Sequence, residues 1–107
     1  NFILINSKNA NAMTGEDGIA NIDNILNNLK QKHTNLENPI MSSTGVIGAP
    51  LPKEKILNEA LKFNLENKNT QNLAQAIMTT DQYPKSCLYE VVLKDNSSFR
   101  IGAVAKG

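Results

Sequence analysis

At 107 residues the chain is one domain's worth of polypeptide, or part of one, and long enough to bury only a modest core. Eleven basic residues against ten acidic ones, with no like-charge run longer than a pair, exclude the electrostatic footprint of a nucleic-acid binder. The single cysteine, Cys87, excludes an internal disulfide, and no apolar run is long enough to span a bilayer, so a reducing, cytoplasmic setting is expected.

The chain enters an apolar run directly from Asn1 and closes on Ala103-Val104-Ala105-Lys106-Gly107, the pattern expected of a fragment or a processed chain. Phe2 to Ile5 is short, continuous and rich in branched residues, which predicts a strand buried on both faces. Asn6 to Gly18 is a polar loop with Thr14 or Asp17 as candidate helix N-caps. Asparagine is so frequent, 16 of 107, that no single one carries weight. Ile19, Ile22, Ile25, Leu26 and Leu29 fall on one stripe of an amphipathic helix that ends near Lys30 to His33, where the lysines suit the helix dipole. His33, the only histidine, keeps the company of a solvated helix end and has no second ligand type beside it.

Ile40-Met41-Ser42-Ser43-Thr44-Gly45-Val46-Ile47-Gly48-Ala49-Pro50 is the most telling stretch. It reads as a strand end with exposed hydroxyls and free amide N–H groups, able to aim fixed donors at an anion or a developing oxyanion. The same spacing suits a tight turn between strand and helix. Pro52 then opens a helix at a favoured first-turn position, with Ile56, Leu57, Ala60, Leu61 and Leu65 as its buried face. A short helix over about 70–78 follows, with Leu73, Ala74 and Ile77 inward, and then the polar turn Thr79-Thr80-Asp81. From Cys87 the period changes to two, predicting a strand with one wetter face in which Cys87 packs. Lys94 to Ser98 is a turn cluster and Phe99 to Val104 returns as the second strand of a hairpin. The order is strand, helix, strand, helix, helix, hairpin: an α/β or α+β layered domain. The residues alone give an anion- or carbonyl-binding loop without a nucleophile. No nucleophile elbow, phosphate loop, dinucleotide fingerprint or Cys/His metal spacing accompanies it.

Four stretches, taken together and in order, carry a resemblance. They are Asn6-Ser7-Lys8-Asn9-Ala10-Asn11-Ala12-Met13-Thr14-Gly15; Ser43-Thr44-Gly45-Val46-Ile47-Gly48 with Pro50-Leu51-Pro52; Ala76-Ile77-Met78-Thr79-Thr80-Asp81 with Pro84-Lys85; and Ile101-Gly102 with Ala105-Lys106-Gly107. Over essentially the whole chain they resemble the α-chain of the ornithine acetyltransferase family, the bifunctional glutamate N-acetyltransferases of arginine biosynthesis.

The resemblance implies an α+β layered sandwich of N-terminal-nucleophile-like type. Residues 1–107 would be a single partial domain, most of the α-chain segment upstream of a self-cleavage site. The precursor cuts itself just before a threonine, which becomes the nucleophile at the start of the β-chain. The implied reaction is ping-pong: acetylornithine acetylates that threonine, ornithine leaves, and glutamate takes the acetyl group, with no cofactor or metal. Some members also accept acetyl-CoA. The implied partner is the β-chain of the same precursor, in a heterotetramer of two α and two β chains. Thr44 and Gly45 match the family's oxyanion hole; Thr79 or Thr80, and Lys106, match its substrate-binding positions. Two donors on the oxyanion lower an acyl-transfer barrier, and a lysine pairs with the α-carboxylate that both substrates carry. Family members usually have glycine where this chain has Lys8, and a lysine there is expected to need ordinary backbone dihedrals, which argues against a catalytic role for that loop. Two alternatives are an N-terminal-nucleophile hydrolase or aminopeptidase relative, which releases the acyl group to water, and a small anion-binding module.

Overall fold

The computed structural model describes residues 1–67 and 69–107 and divides the chain into two compact units, Asn1–Lys68 and Asn69–Gly107. The first unit holds strand β1 (Phe2–Asn6), helix α1 (Gly15–Lys32), strand β2 (Pro39–Ser43) and helix α2 (Lys53–Ala60). The second holds helix α3 (Thr70–Ala76) and strands β3 (Lys85–Val92) and β4 (Ser98–Ala105). This is the mixed α/β order read from the sequence.

In the first unit β1 and β2 pair in parallel, Phe2 opposite Pro39 through Asn6 opposite Ser43. A parallel pair needs a crossover, and α1 supplies it. Ile25 and Leu29, one helical turn apart, are fully buried and meet Leu4, Leu51, Leu57 and Ala60 in the core. Each such side chain taken from water is worth about 1.5–3 kcal/mol. The stripe is narrower than its spacing implied, because Ile19 stays exposed. The helix starts at Gly15, the start that the Thr14 candidate cap implies. Thr14 sits at its N-cap position without capping through its side chain, since its Oγ1 donates to Asn11 Oδ1 instead.

Three expectations fail here. β1 is covered on one face only: Leu4 is buried, whereas Ile3 is 56% exposed. His33 is half-buried, not solvated, and its Nε2 is shielded without a hydrogen-bond partner. Pro52 stands at the N-cap position of α2, its carbonyl accepting from Ile56 N–H, and the helix stops at Ala60 in a turn, well before Leu65.

In the second unit α3 is capped by Asn69, whose side chain accepts from Asn72 N–H, and buries Ala74, with Ile77 just beyond its end. Leu73 points outward. β3 and β4 form the expected antiparallel hairpin, Lys85 opposite Ala105 through Val92 opposite Ser98. Its turn is tied by Asp95, whose Oδ1 accepts from Ser97 N–H and Oγ, and by Asn96 in the left-handed region. Neither face of the hairpin is well covered within the unit: Leu88, Tyr89, Phe99 and Ile101 are exposed. Cys87 lies in β3 but is exposed too, contrary to its expected packing.

Candidate functional site

The parallel pairing of β1 and β2 does not stop where the strands do. Thr44 N–H donates to Asn6 O (3.1 Å), Val46 N–H to Lys8 O (3.0 Å) and Gly48 N–H to Ala12 O (3.0 Å), while Ala10 N–H returns to Val46 O (2.9 Å). The asparagine-rich loop therefore runs alongside Thr44–Gly48 and fixes it. The loop is braced in turn by its own side chains. Asn6 Nδ2 donates to Asn9 O, Asn9 Nδ2 to the carbonyls of Ala49 and Pro50, and Asn11 Nδ2 to Gly18 O.

This ladder corrects the expectation of free amides. The N–H groups of Thr44, Val46 and Gly48 are occupied, and Gly45 N–H, out of phase with them, has no acceptor among the described residues. Two further polar atoms at the strand ends, Asn6 Oδ1 and Ser43 Oγ, are buried without a protein partner. Gly45 has φ +134°, and a Cβ built on it would lie 2.6 Å from Lys8 Cα and nearer still to Lys8's carbonyl. Only glycine fits. The expectation for Lys8 is overturned as well: it takes φ +78°, the glycine-like conformation, because the ladder bonds on either side hold it there. Thr44 is half-buried and Gly45 exposed. What the arrangement offers chemically is a hydroxyl from Thr44 and an amide from Gly45, on a backbone with little freedom to move.

The second unit gathers the other sequence-predicted residues. Lys106 Nζ donates to Thr79 Oγ1 (2.9 Å), which brings two of the three together; Thr80 is exposed. At the centre sits Asp81, read from the sequence as part of a polar turn only. Its Oδ2 accepts from Thr79 N–H (3.1 Å), and its Oδ1 from Gly107 N–H (2.7 Å) and from Lys85 Nζ (2.6 Å). Lys85 also donates to Gly107 O (2.8 Å) and lies over the Tyr83 ring at 5.2 Å. The hydrogen bond from Lys85, with those from Thr79 and Gly107, lowers the Asp81 carboxyl from 3.8 to about 2. Its side chain is closed off from solvent. Asp81 and Lys85 are the members of this cluster that reading the sequence did not single out. The available signal was their spacing of four around Pro84, beside a threonine pair.

Among the described residues no three His, Cys, Asp or Glu side chains are grouped to hold a metal, and no helix is long and apolar enough to cross a membrane.

Comparison with known proteins covers the whole chain. The ArgJ family model matches residues 1–107. The arginine biosynthesis bifunctional protein ArgJ of Wolinella succinogenes is 54% identical over 107 residues, all of this chain and 27% of that protein. The glutamate N-acetyltransferase of Methanothermobacter thermautotrophicus is 39% identical over 110 residues, covering 98% of this chain and 27% of the relative. The chain thus spans about a quarter of the length of these curated relatives. Two crystal structures superpose on 98% of it at 29% identity: the Bacillus halodurans arginine biosynthesis bifunctional protein (TM-score 0.84, 56% of that chain) and the Mycobacterium tuberculosis ornithine acetyltransferase complexed with ornithine (TM-score 0.80, 57% of that chain).

Proposed function

The chain belongs to the ArgJ family, and on that premise we propose that it is the oxyanion-hole and substrate-binding part of an acetyltransferase. The enzyme moves the acetyl group of N2-acetyl-L-ornithine to L-glutamate in arginine biosynthesis. The observation that carries this reading is the clamp of Lys8 on Gly45, which holds Thr44 and Gly45 as two donors on one rigid turn.

In this reading residues 1–107 make one partial domain of an α-chain, and self-cleavage downstream frees a threonine at the start of the β-chain. Two chains of each kind assemble in the cytoplasm, with no nucleic acid or membrane partner. The threonine hydroxyl, relieved of its proton by its own terminal amine, attacks the acetyl carbonyl of acetylornithine. Negative charge grows on the carbonyl oxygen. Thr44 Oγ1–H and Gly45 N–H donate to it, and such donors act without reorganising when the charge appears. Collapse breaks the amide bond, and ornithine leaves with the proton. The amine of glutamate then attacks the acetyl-threonine ester through a second oxyanion in the same place, releasing N-acetylglutamate and restoring the threonine. Lys106 pairs with the α-carboxylate common to both amino acids, and the Thr79–Thr80 pair adds a hydroxyl at that end.

The test is to express the complete precursor and assay acetyl transfer from acetylornithine to glutamate, with mass spectrometry of the β-chain after donor alone. Transfer together with an acetylated N-terminal threonine is expected. Release of acetate to water without transfer would replace this reading with a hydrolase.

A further inference from the structure

We propose that Asp81 is the positioning residue of the substrate-carboxylate site, holding the Lys106 ammonium in place without touching substrate; this rests on the reading of Lys106 as substrate-binding. The geometry is a closed ring. Asp81 Oδ1 accepts from Gly107 N–H, the amide that follows Lys106. From there the Lys106 side chain runs out to its Nζ, which donates to Thr79 Oγ1, and Thr79 N–H returns to Asp81 Oδ2. One carboxylate thereby fixes both the base of the lysine and the hydroxyl that receives its tip.

Lys85 completes the device. Bound to Asp81 Oδ1 and to Gly107 O, it keeps the carboxylate ionised and turned toward the two amides. An ionised carboxylate only accepts, and both oxygens are used so. An asparagine in its place must turn an NH₂ toward one of the amide donors. The ring then opens, and Lys106 regains the rotational freedom of its four-carbon stem.

The test uses steady-state kinetics on the processed full-length enzyme, with active sites counted by the acetyl-enzyme burst. Asp81→Asn is expected to raise KM for acetylornithine and for glutamate about tenfold, with kcat per active site within about twofold. Lys106→Met should raise both KM values at least as much, and the double variant should match Lys106→Met alone, because Asp81 acts through Lys106. An Asp81→Asn enzyme with unchanged KM, or an effect that adds in full to that of Lys106→Met, overturns the inference and leaves the function standing. A Lys106→Met enzyme with unchanged KM overturns the reading of Lys106 itself, and this inference with it. Should Asp81→Asn fail to fold or cleave, Lys85→Gln serves instead: a smaller rise in KM that vanishes in the Lys106→Met background supports the inference, and a flat KM overturns it.

Discussion

Gly45 and Lys8 cross so closely that the first has no room for a Cβ, and the second is held at a positive φ of 78°. The contact is main chain against main chain. It ties the turn carrying Thr44 to the loop after β1, and it makes two substitutions informative in opposite directions.

Gly45→Ala forces either a shift of the Lys8 peptide or a change from φ +134°, and both cost energy. In the full-length protein the substitution should destabilise by about 2–4 kcal/mol, judged by the urea midpoint. Adding Lys8→Gly should not rescue it, because the atoms in the way belong to the backbone. A loss below about 0.5 kcal/mol would mean that the two segments separate easily.

Lys8→Gly alone should have the opposite sign. Left-handed backbone is unfavourable for a residue with a Cβ by about 1–2 kcal/mol, and glycine loses about 0.5–1 kcal/mol through greater freedom when unfolded. A net gain of about 0.5–1 kcal/mol in the urea midpoint is expected. Net destabilisation would show that the Lys8 side chain makes contacts worth more than the strain.

Acid should reveal Asp81. Its carboxyl titrates at about 2 when folded against an ordinary 3.8, so the unfolded state binds the proton more readily. The stabilisation is complete above the ordinary value and is lost as pH falls from 3.8 toward 2. Urea midpoints of wild type and Asp81→Asn should differ by a constant amount above about pH 5 and converge below about pH 4. Parallel curves down to the lowest pH at which the protein folds would contradict the assignment.

The uncovered faces predict behaviour too. Ile3 and Ile40 on β1 and β2, and Leu88, Tyr89, Phe99 and Ile101 on the hairpin, are large apolar side chains left exposed in each unit. Residues 1–107 produced alone should self-associate and bind an apolar dye, and both properties should vanish on co-expression with the rest of the precursor. A monodisperse, cooperatively unfolding chain would count against this.

Local signals made much of this legible. The four-residue step from Ile25 to Leu29 marked the buried edge of α1, and the period-two run after Cys87 marked the hairpin. Thr44 and Gly45 stood out as hydroxyl and glycine at a strand end. What stayed hidden was non-local. The ladder from Thr44–Gly48 to the asparagine loop joins residues nearly forty positions apart, so nothing near Lys8 announced its left-handed backbone. Asp81 was hidden for a similar reason, since its partner Gly107 lies 26 residues on. The failure to foresee one-sided burial of β1 has a simpler origin. A continuous apolar run marks a strand without saying which of its faces is covered, and among the described residues Leu4 is buried while Ile3 is exposed.

The most direct test of the central claim is Thr44→Ala in the processed full-length enzyme. Its N–H is already bound to Asn6 O, so the substitution removes the hydroxyl and leaves the ladder in place. A donor that acts on the oxyanion strengthens as charge develops, and its loss should therefore fall on kcat with KM little changed. A drop in kcat of about 10²-fold or more with self-cleavage intact is expected. Wild-type kcat in a fully cleaved Thr44→Ala enzyme would contradict it, and the Thr44 turn would then be a structural connection between β2 and α2.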